Sequence, residues 1–283
     1  MTVHAHVAAA RKRLRDAGLS SGEADLGARL LAEHVLGWTT ERILTDGAST
    51  EPPEFAPRFE ALVARRAARE PLPYIVGHRE FWNLDFEVTP AVLIPRPETE
   101  LIVEAALAIV PPDAHATIAD LCTGCGCVAV ALARERRASQ VIATDISEEA
   151  LVVARRNVRR HGVSDRVDVR RGDLLAPIVE ACDLIVANPP YVAARVKPAL
   201  QPEVRDHEPT VSLFGGDDGL GMLERLVGDA PTRIRSGGSL VFEFGFGQDE
   251  EIERMLSQSP HLTLVDLKRD LQGIARTAIA RRR

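Results

Sequence analysis

The residues with the most specific chemical content are Asn188-Pro189-Pro190-Tyr191. They follow an apolar run, Leu184-Ile185-Val186-Ala187, that reads as a buried strand. Neither proline has a backbone N–H, so the sheet ladder must stop at Asn188 and the carbonyls there are free to face something other than a neighbouring strand. The Asn188 side chain adds one acceptor and two donors at the same spot. Tyr191 adds a flat ring. Such a corner suits a planar –C(=O)–NH2 or –C=N–NH2 group, with acceptors for its two N–H bonds and a wall for its face. An isolated Asn-Pro pair is usually only a turn after a strand, so this reading depends on what else the chain brings to the same place.

A second stretch, Asp120-Leu121-Cys122-Thr123-Gly124-Cys125-Gly126, lies between an expected strand and its helix. Gly124, Gly126 and Ala129 satisfy the spacing G-x-G-x-x-A, in which glycines let the backbone approach a ligand at a helix N-terminus. Alone that is a weak signal. Asp145 ends the next strand, about 20 residues on, where a carboxylate typically accepts ribose hydroxyls. A nucleoside cofactor is therefore expected. Two details favour S-adenosylmethionine over NAD: Asp120 stands directly before the loop, where a cationic amino group can be received, and the Asn188 corner needs a substrate. Asp173 falls after the third strand of the series. Gly126, Asp145, Asp173 and Asn188 all sit at strand carboxyl ends, where an open parallel sheet gathers its ligands. Cys122 and Cys125 form a C-x-x-C, but three cysteines crowd one glycine loop and no second ligand pair is present, so neither a zinc nor a redox site is expected.

The elements needed to position these residues are legible along the chain. Residues from about 4 to 70 read only as helices, with Val7, Arg11 and Leu14 on one stripe, Leu26, Leu30, Leu31 and Val35 on another, and a capping box at Ser20 and Glu23. Pro71 and Pro73 break the pattern. Short β-like pieces follow at Glu80–Trp82, Phe86–Val88 and Val92–Ile94. From Thr117 onward strands and helices alternate, which means a parallel sheet covered by helices on both faces. A long loop is expected from about Ala193 to Gly219. The expected organisation is a helical bundle at 1–72, a β-hairpin linker at 73–96 and a catalytic domain at 97–283.

The chain has 283 residues, 45% of them hydrophobic and 27% charged, with a formal net charge of -6. No global basic field recommends it to nucleic acid, and no apolar run approaches the roughly 20 residues of a membrane span. A cytoplasmic setting with reduced cysteines is expected.

With Gly77-His78-Arg79-Glu80-Phe81-Trp82, Leu93-Ile94-Pro95-Arg96-Pro97-Glu98-Thr99-Glu100, the Asp120–Gly126 loop, Asn188–Tyr191, Glu208-Pro209 and Glu243-x-Gly245 in order, the chain resembles the HemK/PrmC family over essentially its whole length. That family methylates the side-chain amide of the glutamine in the GGQ motif of bacterial class I release factors. The resemblance implies a class I S-adenosylmethionine-dependent methyltransferase: an α/β, Rossmann-like domain with a seven-stranded, mostly parallel sheet, a small N-terminal helical domain for release factor recognition, and a hairpin linker. It implies that Cys122, Thr123, Gly124, Cys125, Gly126, Asp145, Asp173, Leu174 and Asn188 contact the cofactor. It also implies that Asn188 to Tyr191 hold the glutamine. The Asn188 side-chain oxygen and the Pro189 carbonyl are the candidate catalytic acceptors for the amide N–H groups, and a monomer without stable nucleic-acid or membrane binding is expected. One departure from the family's Gly-Thr-Gly-[Thr/Ser]-Gly loop is that Cys122 and Cys125 replace the first glycine and the hydroxyl residue. The alternative reading is an exocyclic-amine methyltransferase acting on DNA or RNA, because the Asn-Pro-Pro-Tyr element alone is shared with adenine methyltransferases.

Overall fold

The computed structural model describes all residues, Met1–Arg283, and divides into two compact units. The first comprises Met1–Gly77 together with Gln201–His207. It contains α1 (Val3–Asp16), α2 (Ser21–Leu36), α3 (Thr40–Asp46), α4 (Phe55–Ala67) and α5 (Leu72–Val76). Thr2 and the Ser20–Glu23 capping box satisfy the first amides of α1 and α2, and Gly37 ends α2 in the left-handed conformation. Stacked Phe55 and Phe59, with ring centroids 5.0 Å apart, form the centre of this unit's core with Leu14 and Leu31. The buried face of α2 is Ala24, Gly27, Ala28, Leu31 and Ala32, whereas Leu26 is exposed. Small residues beside Leu31 make most of this face, which lets helix backbones approach. Helix α5 straddles the boundary expected at residue 72: Pro73 sits in its first turn, where a missing N–H costs nothing.

The second unit comprises His78–Leu200 and Glu208–Arg283. It opens with an antiparallel hairpin, β1 (His78–Phe81) and β2 (Leu84–Glu87). Val92–Ile94 is not a strand: Pro90 and Pro95 bracket it, and Val92 N–H bonds the Thr89 carbonyl in a turn. Then come α6 (Glu100–Ile109), β3 (Thr117–Leu121), α7 (Cys127–Glu135), β4 (Gln140–Asp145), α8 (Glu148–Arg160), β5 (Val167–Arg171) and β6 (Cys182–Ala187). The expected long loop contains α9 (Pro202–His207), which belongs to the first unit, and α10 (Thr210–Leu213). The chain finishes with α11 (Gly221–Asp229), β7 (Ile234–Glu243), α12 (Asp249–Gln258), β8 (Leu262–Arg269) and β9 (Ala275–Arg282).

The seven strands run in the order β5-β4-β3-β6-β7-β9-β8. Pairs among the first five are parallel, and β9 is antiparallel to both β7 and β8. Strand order reverses between β3 and β6, so the crevice at their carboxyl ends is the natural ligand site.

Candidate active site

Strand register assembles the site. Leu121 of β3 pairs with Ala187 of β6 on one side and Thr144 of β4 on the other, and Asp145 pairs with Arg171 of β5. The residues that follow therefore emerge side by side: Cys122 beside Asn188, then Asp145, then Gly172 and Asp173. They line one cavity of about 270 Å³ with Leu93, Pro95, Arg96, Thr99 and, from the segment after β6, Val211, Ser212 and Phe214.

The loop after β3 is held by its own acids. Asp145 Oδ2 accepts from Gly124 N–H at 2.9 Å, and Oδ1 accepts from Ser147 N–H at 2.9 Å. Asp120 is buried; its Oδ2 accepts from the Thr123 hydroxyl at 2.6 Å and from Ala129 N–H at 3.1 Å. Burial pushes the Asp120 carboxyl up to about 7, against those two bonds, and also raises Asp145. Both carboxylates keep unused acceptor capacity at the wall, a donor set that fits a nucleoside carrying a cation. Cys122 and Leu174 adopt left-handed φ angles of 57° and 47°, which residues with a Cβ rarely do. Burial and the surrounding aspartates hold the Cys122 thiol well above its usual range. All four cysteines are free.

On the β6 side, Asn188 Nδ2 donates to Thr99 Oγ1 at 3.1 Å. Thr99 donates to Glu243 Oε2 at 2.7 Å, and the Tyr191 phenol donates to Glu243 Oε1 at 2.6 Å. Glu243 is buried, which raises its carboxyl, and burial next to that acid raises the Tyr191 phenol. Arg96 Nη2 donates to Glu208 Oε1 at 2.5 Å, while Glu208 Oε2 is buried without a partner.

Of the residues expected from sequence, Cys122, Thr123, Gly124, Cys125, Asp145, Asp173, Leu174, Asn188 and Pro190 share this cavity. Gly126, Pro189 and Tyr191 are not part of its wall. Gly126 caps α7 in the left-handed conformation, close against Ala154, behind the loop. Pro189 is buried. The Tyr191 hydroxyl donates to Glu243, and its ring packs against the core of the sheet. Arg96, Thr99, Met222 and Arg225, which no motif marks as site residues in their own right, also line the cavity. Arg225 pairs with Asp173 at 2.7 Å. Arg96 and Thr99 were visible only as members of the Leu93–Glu100 motif.

Residues 6–77 match the family model described as PrmC N-terminal domain, and residues 99–203 match the one described as Methyltransferase small domain. A curated protein from Cereibacter sphaeroides, named release factor glutamine methyltransferase, is 43% identical over 273 residues, covering 96% of each chain. One of the same name from Moorella thermoacetica is 44% identical over 230 residues, covering 80% of this chain and 81% of its own. Among solved structures, a methyltransferase from Pyrococcus furiosus aligns with a TM-score of 0.54 at 17% identity, covering 78% of this chain and 96% of that one. The catalytic domain of hMettl16 aligns at 0.55 and 19% identity, over 78% and 81% respectively. At these identities both show a shared methyltransferase fold.

Proposed function

This chain belongs to the release factor glutamine methyltransferase family, and from that premise we propose that it transfers a methyl group from S-adenosylmethionine to the side-chain amide nitrogen of the glutamine in the GGQ motif of class I peptide chain release factors. The observation that carries the reading is that the Asn188 amide and the Cys122–Cys125 loop open onto one cavity. The cofactor, when bound, supplies an electrophilic methyl on a sulfonium. Asp145 is suited to ribose hydroxyls, Asp120 to the amino group, and Asp173 and Leu174 to the remaining nucleoside edge.

An amide nitrogen is a poor nucleophile because its lone pair is delocalised into the carbonyl. Asn188 Oδ1 accepts one of its N–H bonds, which raises electron density on nitrogen and aims the lone pair. The Pro189 carbonyl is the second acceptor. Positioning of this kind is worth up to about 7–11 kcal/mol. No strong base is needed, since an N-methylated amide cation gives up its proton readily to water. Tyr191 acts from behind, as a ligand of Glu243. The first unit is assigned to release factor recognition.

The direct test incubates the full chain with methyl-labelled cofactor and purified release factor, with the GGQ glutamine intact or replaced, alongside DNA and RNA. Label in the intact release factor only is the expected result. Label in nucleic acid overturns the reading in favour of exocyclic-amine methylation. We take the enzyme to be a cytoplasmic monomer, which sedimentation of the purified chain checks for its mass.

A further inference from the structure

We propose that Glu243 is a positioning residue that, acting through Thr99, dictates which end of the Asn188 amide faces the cavity. The inference rests on the reading of this cavity as an –NH2 acceptor site. Glu243 ends β7, is 1% exposed and is not part of the cavity wall. Both its oxygens receive hydroxyl protons, from Thr99 at 2.7 Å and Tyr191 at 2.6 Å. A threonine hydroxyl has only one proton to give. With that proton committed to the carboxylate, Thr99 presents lone pairs alone to Asn188, and Asn188 Nδ2 donates to them at 3.1 Å. An inverted amide would set the lone pairs of Oδ1 against those of Thr99 and lose the bond. The chain Glu243–Thr99–Asn188 therefore leaves Oδ1, the acceptor that a substrate N–H needs, on the cavity side.

The surroundings hold this relay still. Gln248 Oε1 accepts from Gly245 N–H at 2.7 Å and Gln248 Nε2 donates to the Tyr191 carbonyl at 3.1 Å, tying the main chain on both flanks. A buried carboxylate is costly to keep. Packing alone would be met by an apolar residue, whereas a group that only accepts is what forces the direction of the Thr99 hydroxyl.

The test uses the full chain labelled with ¹⁵N-asparagine, in which the side-chain amides of Asn83, Asn157 and Asn188 are the only such signals. Proton exchange at Asn188 Nδ2 is measured along with kcat, KM for a class I release factor and cofactor Kd. In Thr99→Val and in Glu243→Leu, exchange at Asn188 should quicken at least about tenfold and kcat fall about 10- to 100-fold, with Kd and KM little changed. Thr99→Ser, which keeps the hydroxyl, should recover most of the turnover lost in Thr99→Val. Unchanged Asn188 exchange in the folded variants, or altered exchange with wild-type kcat, overturns the relay. Should Glu243→Leu not fold, the Thr99→Val and Thr99→Ser pair decides alone. If the unsubstituted enzyme methylates no release factor, the acceptor reading has failed, while the exchange measurement still judges the relay.

Discussion

At the scale of single residues, the proposed role of Asn188 as acceptor for the substrate amide makes its loss tell on turnover far more than on cofactor binding, which the aspartates and the glycine loop largely carry. Asn188→Ala removes the acceptor and leaves the aspartates untouched, so turnover should fall by about 10²-fold or more, as when a preorganised polar contact is lost. Isothermal titration with the cofactor and a single-turnover assay separate the two; near-normal turnover would remove Asn188 from the chemistry. Asp120 should set a pH dependence. Its carboxyl rises from an ordinary 3.8 to about 7 through burial. The fold thus favours the protonated acid, and its contribution to stability is present at low pH and lost as pH climbs through that window. A cationic ligand group requires the ionised form, so cofactor affinity should strengthen as pH rises through about 7, and Asp120→Asn should flatten that profile. A pH-independent Kd would contradict the assignment. Cys122 occupies a left-handed position, φ 57°, where glycine is unstrained. Cys122→Gly should raise stability by about 1 kcal/mol, the left-handed penalty less the extra entropy of an unfolded glycine, visible as a thermal shift of about 2 °C.

At the scale of elements, one buried side chain fastens the hairpin to the glycine loop. Asn157 of α8 accepts from Glu87 N–H at 2.8 Å and donates to the carbonyls of Glu87 at 3.0 Å and Cys125 at 2.9 Å. Asn157→Ala leaves three main-chain groups unpaired and should cost about 3 kcal/mol in the urea midpoint with an unchanged slope; a cost below about 1 kcal/mol would mean water replaces it. This clamp was not legible beforehand, since Asn157 sits among arginines in α8 and nothing local marks its distant main-chain partners. The central strands were legible, because β4 and β6 are largely apolar runs closed by Asp145 and Asn188, and β3 runs into the glycine loop. Helices α5, α9 and α10 were hidden by their prolines, which read as breakers when they serve as first-turn residues or neighbours. The wall of the cavity was foreseeable wherever a residue follows a parallel strand. Thr99 and Glu243 were not, because they meet across 144 positions of sequence and nothing local marks the bond.

At the scale of the molecule, the chain passes through the second unit and returns to the first for one short helix before going back. Glu203 on that helix accepts from Arg66 at 2.9 Å and Arg69 at 2.7 Å, and Arg66 is itself buried. Burial would raise the Glu203 carboxyl, but the two guanidinium bonds outweigh it and hold it below its ordinary range. The stability it contributes is therefore complete above about pH 4.5 and lost as pH falls through the lower folded value. Glu203→Ala should cost about 2 kcal/mol, toward the low side for breaking a buried pair because Arg66 keeps its bond to the Glu70 carbonyl at 3.1 Å. Thermal unfolding at neutral pH reads this directly, and an unchanged midpoint would show the pair to be inert.

That return visit bears on how relatives of this enzyme can be recombined. A hybrid made by joining the leading 77 residues of one homologue to the remainder of another divides an acid from the two arginines it serves. Exchanging the first unit between species therefore calls for grafting two separated pieces of sequence at once, the long leading one and the seven residues from Gln201 to His207.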